Sequence, residues 1–316
     1  MDGAKGAVGV IGLGIMGGAI ARNLAAAGWR VIGYDVDAAR CREAASAGVE
    51  IADNAGAVAR AAPFILTSLP KPETLTSTVE AIIAAGAPRR IVAELSTFRI
   101  EDKEAAEALL RAAGHVLLDC PLSGTGSQAK VKDLVVYASG DAQAIAALAP
   151  VFADFGRATH DVGAFGNGMK MKFVANLLVA IHNVASAEAM VLGMKAGLDP
   201  HQVYALVKSG AGTSRVFELR GGMMADNRYD GDNVTMKVST WQKDMAVIGE
   251  FAQKAGVPTP TFSATEAIYN AAMSTGHAGE DTASVCAVLE AMAGLQRSEQ
   301  LAASSLATQP QRSHDP

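Results

Sequence analysis

Short apolar runs alternate with stretches of helical periodicity through the first half of the chain. Runs that are apolar throughout are typical of strands in a parallel sheet, because helices cover both faces of such a sheet. The predicted strands are Ala7–Gly12, Arg30–Asp35, Phe64–Leu69, Ile91–Leu95, His115–Asp119, Leu134–Ser139 and Arg157–Asp161. The predicted helices are Ile15–Ala27, Asp37–Ala47, a segment that starts at Pro72, Glu101–Ala113 and Ala142–Phe155. The pattern predicts an α/β fold with a doubly wound parallel sheet.

Strand-like runs end near Gly163, and the later apolar segments have helical periodicity. Met169–Ala196 is apolar on most of its circumference, so we expect a buried helix there. Further helices are predicted from Asp199 onward and at Val216–Ala225, Val234–Ala255, Thr261–Ser274 and Asp281–Leu295. From Ser298 the chain has little apolar surface to bury, and we expect a disordered tail. The predicted divisions are an α/β domain at 1–165, an all-α domain at 166–297 and the tail at 298–316.

The composition is that of a globular chain without an obvious polyanionic partner. Half of the 316 residues are hydrophobic and 19% are charged, which gives two domains enough apolar surface to bury. The net charge of −5 includes no basic patch. This argues against nucleic acid or an anionic membrane surface as the main partner.

The cysteines and the start of the chain predict a cytoplasmic protein. Cys41, Cys120 and Cys286 are odd in number and far apart, so we expect neither a disulfide framework nor a metal site. A buried-strand pattern begins too early to leave room for a signal peptide. The sequence has no run of about 18 uninterrupted apolar residues, so we expect no membrane span.

A glycine-rich turn joins the first predicted strand to the first predicted helix. Its residues are Gly12, Leu13, Gly14, Ile15, Met16 and Gly17. In a Rossmann-type domain such a turn lets the backbone approach a pyrophosphate at a helix N-terminus. Asp35 ends the second strand, where an acidic side chain accepts hydrogen bonds from ribose hydroxyls. Because a 2′-phosphate would meet this carboxylate, NAD is favoured over NADP, although Arg40 partly offsets the charge.

Lys172 and Asn176 lie four residues apart at the start of the long apolar segment. On a helix this spacing places both side chains on one face. A lysine screened from water beside a positive nicotinamide ring has its neutral form favoured, which suits a base that takes a hydroxyl proton. The structural alternative is a lysine that buries its stem at a helix start and keeps its charge in water. Together with the glycine turn, the pair predicts a dehydrogenase.

Four motifs carry a resemblance to a known family. They are VIGLGIMGGAIARN at Val10–Asn23, DCPLSGT at Asp119–Thr125, GAFGNGMKMKFVAN at Gly163–Asn176 and WQKD at Trp241–Asp244. In order and spacing they resemble the β-hydroxyacid dehydrogenases, the 3-hydroxyisobutyrate dehydrogenase family. The resemblance implies a Rossmann-type dinucleotide-binding domain, a helical substrate and dimerisation domain, and a cleft in which an alcohol is oxidised. We also expect a homodimer or homotetramer.

The same resemblance implies roles for individual residues. Lys172 would be the general acid/base, and Asn176 would hold the substrate or the lysine. Ser123, with the backbone of Gly124 and Thr125, would bind the substrate carboxylate, since converging N–H groups in a loop bind anions. Cofactor contacts are implied for Leu69, Pro70, Thr97 and Lys243.

Two departures from the family pattern concern the substrate. Thr125 stands where relatives have a second glycine, and Arg215 stands where many relatives have an aromatic residue. An arginine that faces the cleft would select an anionic or polyhydroxylated substrate through forked hydrogen bonds. The alternative is an arginine that is solvated at a helix start.

We therefore expect NAD-dependent oxidation of the hydroxyl of a small 3-hydroxy or 2-hydroxy acid to a semialdehyde or keto acid. The GTSR segment and the GEDTA ending resemble the sugar-acid branch that acts on threonate-like four-carbon acids. The enzymatic alternatives are a phosphogluconate dehydrogenase-like or an imine reductase-like protein. A non-catalytic dinucleotide-binding module is the alternative from another class, and such a module would need neither Lys172 nor Ser123.

Overall fold

The computed structural model describes residues 5–297 of the chain. The chain divides into two compact units, Met1–Ala175 and Asn176–Pro316. This division falls inside a long helix and later than the predicted boundary at residue 165. The predicted disordered tail at 298–316 lies outside the described residues.

Six parallel strands form the main sheet of the first unit. They are β1 Lys5–Ile11, β2 Trp29–Tyr34, β3 Glu50–Ile51, β4 Phe64–Thr67, β5 Ile91–Glu94 and β6 Val116–Asp119, in the spatial order β3-β2-β1-β4-β5-β6. Because β1 pairs with both β2 and β4, the strand order reverses between β1 and β4. In doubly wound sheets, ligands bind beyond the carboxyl ends of the strands at this point. The predicted parallel sheet is confirmed for these strands, although β3 was not predicted.

Seven helices accompany the strands of this unit. They are α1 Ile15–Ala26, α2 Ala38–Ser46, α3 Ala55–Ala61, α4 Pro72–Ala84, α5 Ile100–Ala112, α6 Gly126–Lys130 and α7 Ala142–Ala153. Successive strand residues point to opposite faces of the sheet. Accordingly Ile65 belongs to one buried apolar cluster, together with Ile82 and Leu110. Leu66 belongs to another, together with Leu24. Helices therefore cover both faces, as the apolar strands predicted.

Beyond β6 the chain forms a second, smaller sheet. Its strands are β7 Leu122–Ser123, β8 Val135–Ala138 and β9 Ala158–Asp161, in the order β7-β8-β9. β7 and β8 are antiparallel, whereas β8 and β9 are parallel. The prediction of a single parallel sheet is wrong for β8 and β9, because the chain at the end of β8 meets β6 only at one antiparallel bridge; β7 was not predicted. An isolated bridge between Asp119 and Ser139 links β6 to this sheet.

Helices make up the second unit, as predicted. The helices from the unit boundary onward are α8 Asn167–Lys195, α9 Pro200–Ser209, α10 Arg215–Asp226, α11 Val238–Lys254, α12 Pro260–Ser274 and α13 Val285–Met292. The first nine residues of α8, 167–175, belong to the α/β unit, and the rest of α8 belongs to the helical unit.

α8 is less buried than its composition predicts. Its most apolar 18-residue window has a mean hydropathy of 1.6, and 44% of that window is buried inside the protein. Val174, Leu178 and Leu192 are 52%, 46% and 72% exposed. By length and composition alone the helix could cross a bilayer, although polar residues interrupt its apolar run. A core helix of a globular protein has the same length and composition.

Asp281 explains why two helices begin later than predicted. Its carboxylate accepts hydrogen bonds from the backbone N–H groups of Thr235, Met236 and Ala283. These bonds hold the segment before α11 extended, so α11 begins at Val238 instead of residue 234. They also shape a 3-10 turn at Thr282–Ser284 that precedes α13. Burial would raise the pKa of Asp281, but Arg220, whose Nε lies 3.3 Å from Oδ1, and these hydrogen bonds lower it overall.

Candidate active site

The glycine turn lies at the carboxyl ends of β1 and β4, where the strand order reverses. Gly12 has a φ of +89°, and a Cβ there would lie 2.1 Å from the carbonyl oxygen of Ser68. A Cβ on Gly17 would lie 1.9 Å from the carbonyl oxygen of Gly12. Both contacts are with backbone atoms, which cannot move far enough to make room for a side chain. The turn therefore requires glycine at both positions, and its tight path brings the backbone close to any ligand at this edge.

The N-terminus of α1 fits an anion supplied by a ligand. Gly14 is its N-cap residue, no side chain caps it, and its first turn contains no acidic residue. By contrast, Asp37 caps α2, Asn54 caps α3 and Asp141 caps α7 through side-chain oxygens. The backbone N–H groups at a helix start attract a phosphate when no side chain satisfies them. This cradle suits the pyrophosphate of a dinucleotide.

Asp35 is bound into the glycine turn. Its side chain is 6% exposed, and its Oδ2 accepts a hydrogen bond from the Leu13 N–H at 2.7 Å. Its Oδ1 accepts one from the Asp37 N–H at 2.8 Å, and Arg40 Nη1 lies 3.6 Å from Oδ2. The carboxylate thus orders the turn and is partly neutralised by Arg40. Its predicted hydrogen bonds to ribose hydroxyls stay a prediction.

The other predicted cofactor residues of this unit follow β4 and β5. Leu69 and Pro70 come after β4, and the Leu69 N–H donates to Ser96 Oγ at 2.8 Å. Thr97 follows Ser96 beyond the end of β5. Since the carboxyl ends of parallel strands meet at one edge of a sheet, these residues lie on the same edge as the glycine turn.

The predicted carboxylate-binding loop follows β7. Gly124 has a φ of +134°, and a Cβ there would lie 2.6 Å from Leu134 Cδ2, so this position also requires glycine. Thr125 caps the short helix α6, and its N–H donates to Gln128 Oε1 at 3.1 Å. Binding of a substrate carboxylate by the Thr125 N–H would require this bond to be exchanged. Ser123 is half-buried.

Lys172 and Asn176 lie one turn apart on α8 and are 7% and 4% exposed. Their neighbours Met171 and Val174 are 39% and 52% exposed. The helix therefore presents an apolar face outward and buries a cationic and an amide side chain. Burial of a cationic and an amide side chain beside exposed apolar residues is uncommon on a helix, so this pair is the candidate for the functional face.

Asp244 is hydrogen-bonded to Asn176, and no role was assigned to it from the sequence. Asn176 Nδ2 donates to Asp244 Oδ2 at 3.1 Å, and Lys243 Nζ lies 3.8 Å from Oδ1. Asp244 lies on the buried face of α11 with Trp241 and Met245. The sequence did contain a signal for Asp244: it has the helical spacing of the buried residues of α11. Because carboxylates are rarely buried without a partner, an acidic residue at such a position indicates a polar partner.

The Asn176–Asp244 hydrogen bond is expected to contribute to turnover. Asp244→Ala leaves the buried Asn176 amide without this acceptor, so we expect the effects of Asn176→Ala and Asp244→Ala on kcat/KM to be strongly non-additive. A double-mutant cycle should give a coupling energy of about 0.5–3 kcal/mol. Asp244→Asn, which keeps an acceptor oxygen, is the matched control and should stay near wild type. Additive effects would contradict a shared role.

Arg215 and Lys243 are more exposed than the residues above. Arg215 is the first residue of α10, its side chain is 65% exposed, and its Nη1 lies 2.9 Å from Glu218 Oε2. This geometry agrees with the alternative interpretation of Arg215 as an arginine that is solvated at a helix start. The Lys243 side chain is 41% exposed. The roles of both residues toward substrate and cofactor stay predictions.

The described part of the chain, residues 5–297, contains no group of three or more His, Cys, Asp or Glu side chains placed to hold a metal ion. Its cysteines are free thiols. Burial and the neighbouring charge of Asp119 raise the pKa of Cys120, so this thiol is kept neutral.

Two family models together match most of the chain. Residues 7–166 match the NAD binding domain of 6-phosphogluconate dehydrogenase. Residues 166–289 match the NAD-binding region of NADP-dependent 3-hydroxyisobutyrate dehydrogenase. The two matches meet near the start of α8.

Individual relatives agree with these models. The chain is 29% identical to L-threonate dehydrogenase of Cupriavidus necator, over 88% of this chain and 94% of that protein. It is 28% identical to NAD-dependent L-serine dehydrogenase of Pseudomonas aeruginosa, over 86% of this chain and 93% of that protein. The crystal structure of 3-hydroxyisobutyrate dehydrogenase from Salmonella typhimurium matches with a TM-score of 0.81 and 26% identity, covering 90% of this chain and 100% of that one.

The dinucleotide cradle and the buried lysine face define the class of dinucleotide-dependent dehydrogenases. Within that class, the chain belongs to the β-hydroxyacid dehydrogenase family. The resemblance drawn from the four motifs is confirmed. Imine reductases match at 16% identity, which shows a shared fold and supports no activity.

Proposed function

We propose that the protein is an NAD-dependent dehydrogenase that oxidises the hydroxyl of a small 3-hydroxy or 2-hydroxy acid to a semialdehyde or keto acid. The observation that carries the proposal is Lys172, a lysine only 7% exposed in the family's catalytic motif. A binding module would gain nothing from a buried lysine, because burying a charge without a function costs free energy.

The residues of the glycine turn would hold the cofactor. The N-terminus of α1 would bind the pyrophosphate, and Asp35 would face the adenosine ribose. Leu69, Pro70, Thr97 and Lys243 are proposed as further cofactor contacts. When bound there, NAD would supply the hydride acceptor that oxidation of an alcohol requires. The carboxylate of Asp35 favours NAD over NADP, because it repels a 2′-phosphate.

Lys172 is proposed to take the proton of the substrate hydroxyl as the alcohol is oxidised, and to return it in the reverse direction. Asn176 would hold the lysine or the substrate, with Asp244 fixing the orientation of the Asn176 amide. Ser123 and the Gly124 backbone would bind the substrate carboxylate. Burial at this face excludes water, which strengthens these polar contacts.

A threonate-like four-carbon acid is the proposed substrate. The support is the GTSR segment at 212–215, together with the similarity to L-threonate dehydrogenase of Cupriavidus necator. The GEDTA ending contributes less, because its Asp281 is fully buried and paired with Arg220 inside the helical unit. That motif is explained by packing of the helices.

A substrate panel tests this proposal. Three- to six-carbon hydroxy acids, including threonate, 3-hydroxyisobutyrate, serine and phosphogluconate, are incubated with NAD or NADP, and the reduced cofactor is followed by absorbance. Turnover of a small hydroxy acid with NAD is expected. Preference for NADP would overturn the role of Asp35, and turnover of phosphogluconate alone would overturn the substrate class.

Arg215→Ala tests the substrate preference separately. If the guanidinium binds the polar end of a four-carbon acid, its loss should lower kcat/KM for that acid by about tenfold, the value of one charged hydrogen bond. 3-Hydroxyisobutyrate, which is smaller, should be affected little. Glu218→Ala is the control, since it removes only the surface partner. Equal small losses on both substrates would assign Arg215 to the solvated surface.

We also propose a cytoplasmic homodimer or homotetramer. Support comes from the free cysteines and from the exposed apolar residues Val174, Leu178 and Leu192 on α8. Exposed apolar patches on helices often mark contacts between subunits. Light scattering after size-exclusion chromatography measures the oligomer mass directly.

A further inference from the structure

A fully buried ionic network lies at the carboxyl ends of β5 and β6. Glu94 ends β5 and Asp119 ends β6, and the two residues are register partners. Lys103 Nζ lies 2.7 Å from Glu94 Oε2 and 2.7 Å from Asp119 Oδ1. All three side chains are 0% exposed.

One arm of the network leads to the cofactor edge of the sheet. Glu94 Oε1 accepts a hydrogen bond from the Ser96 N–H at 2.9 Å. Ser96 Oγ in turn accepts one from the Leu69 N–H at 2.8 Å. Thus the carboxylate that binds Lys103 also fixes the loop after β4, which is proposed to line the cofactor.

The other arm leads to the start of α8. Asp119 Oδ2 accepts a hydrogen bond from the Met169 N–H at 2.8 Å. Ser139 Oγ accepts one from the Gly168 N–H at 3.0 Å and donates to Asp119 Oδ2 at 3.2 Å. A Cβ on Gly168 would lie 2.7 Å from the carbonyl oxygen of Asp119, so the helix end is held close. Lys172 follows Met169 within about one helical turn.

The charge state of the network suits this positioning. Burial would lower the pKa of Lys103, but the charges of Asp119 and Glu94 outweigh it, and the overall direction is upward. The lysine is therefore charged and attracts both carboxylates. The positive end of the α8 dipole faces Asp119 and offsets the excess negative charge. Replacement of a buried ion pair by apolar residues of similar volume is often neutral or stabilising, so we assign to this network the role of fixing positions rather than of adding stability.

We propose that Lys103 is a positioning residue for the reaction: through Asp119 it fixes the start of the helix that carries Lys172, and through Glu94 and Ser96 it fixes the cofactor loop at Leu69. This inference rests on the proposed role of Lys172. It assigns a specific task to a lysine whose ion-pair partners, Asp119 and Glu94, bind the start of α8 and the Ser96 N–H.

Lys103→Met removes the charge and keeps most of the side-chain length. We expect kcat to fall by about tenfold to a hundredfold, because small displacements of a catalytic group cost this much, and KM for NAD to rise. Leu110→Ala is the matched control: it lies on the same buried face of α5 and destabilises the fold without touching the network. It should lower the melting temperature and leave kcat within about twofold. Equal kcat values for the two variants, at comparable loss of melting temperature, would overturn the proposal.

Two milder variants test the arm toward α8 and the arm toward the cofactor loop separately. They also test the positioning role of the network if Lys103→Met does not fold. Ser139→Ala should lower kcat by about three- to tenfold and leave KM for NAD unchanged, since it loosens only the start of α8. Ser96→Ala should raise KM for NAD by about the same factor and leave kcat unchanged. A general loss of stability would not produce this split. If both variants change kcat and KM in the same proportion, the network is only structural.

The outcome is distinguishable from failure of the proposed function. If Lys172→Ala abolishes turnover but the Lys103 and serine variants behave like Leu110→Ala, only the positioning inference is wrong. If Lys172→Ala keeps turnover, the general acid/base assignment is wrong whatever Lys103 does.

Discussion

Replacing Lys172 with alanine is expected to lower kcat by about 10² to 10⁴, the usual contribution of a general acid/base. NAD affinity should stay nearly unchanged, because the pyrophosphate and ribose contacts are proposed at the glycine turn and Asp35. Steady-state rates and the Kd for NAD, measured by isothermal titration calorimetry on the same preparations, check both statements.

Lys170→Ala is the matched control for this experiment. Lys170 lies on the same helix but is exposed, and its Nζ lies 3.1 Å from Asn167 Oδ1. It should keep wild-type kcat. That result would show that loss of a positive charge near the start of α8 does not by itself explain a fall of kcat in Lys172→Ala. If Lys172→Ala retained more than about a tenth of wild-type turnover, a general acid/base role would be excluded.

Gly17→Ala is expected to damage both folding and cofactor binding. The added methyl carbon would lie 1.9 Å from the carbonyl oxygen of Gly12, so α1 must move away from the end of β1. Overpacking of this kind costs about 1–3 kcal/mol of unfolding free energy. We expect the Kd for NAD to rise by about tenfold or more, since a loss of 1.4 kcal/mol in binding has this effect. Denaturant unfolding and NAD titration measure the two quantities.

Gly249→Ala controls for the change of residue type. Gly249 lies in α11, and a Cβ there would have its nearest neighbour at 3.7 Å, an ordinary contact. Because alanine favours a helix over glycine, this variant should be as stable as wild type or more stable by up to about 1 kcal/mol. An NAD affinity of Gly17→Ala equal to that of Gly249→Ala would show that the close approach at Gly12 is not needed for binding.

Local pattern was sufficient for the main sheet and the long helix. The strands around the glycine turn are apolar throughout, so their burial between helices followed from composition alone. Lys172 and Asn176 are four residues apart, and helical geometry placed them on one face without knowledge of any partner.

The parts that the sequence did not predict depend on distant contacts. β3 has two residues and α3 has seven, which is too short for a periodic pattern to be visible. β7 also has only two residues, and its antiparallel partner β8 lies beyond helix α6 in the sequence. Asp281 delays the start of α11 through contacts with residues about 45 positions away.

Lys103 shows why buried charges are hard to predict. It lies in the segment EDKE, which is typical of a solvated helix face. Its partners are the last residues of β5 and β6, and only the register of those strands brings them together. The available signal was its spacing from Ala106 and Leu110, which puts it on the buried face of α5.

Asp35 accepts hydrogen bonds from the N–H groups of both Leu13 and Asp37, and this limits how the enzyme can be re-engineered for NADP. Exchanging the aspartate for a residue without an acceptor would remove repulsion from a 2′-phosphate. It would also take the hydrogen-bond partner from the Leu13 N–H, and Leu13 is only 4% exposed. An unsatisfied buried donor costs about 1–3 kcal/mol, so the gain in NADP affinity would be offset by a loosened turn. Asparagine removes the charge and keeps one acceptor oxygen for the buried Leu13 N–H, and it gives up only the bond to the exposed Asp37 N–H, which makes it the first substitution to consider in a cofactor switch.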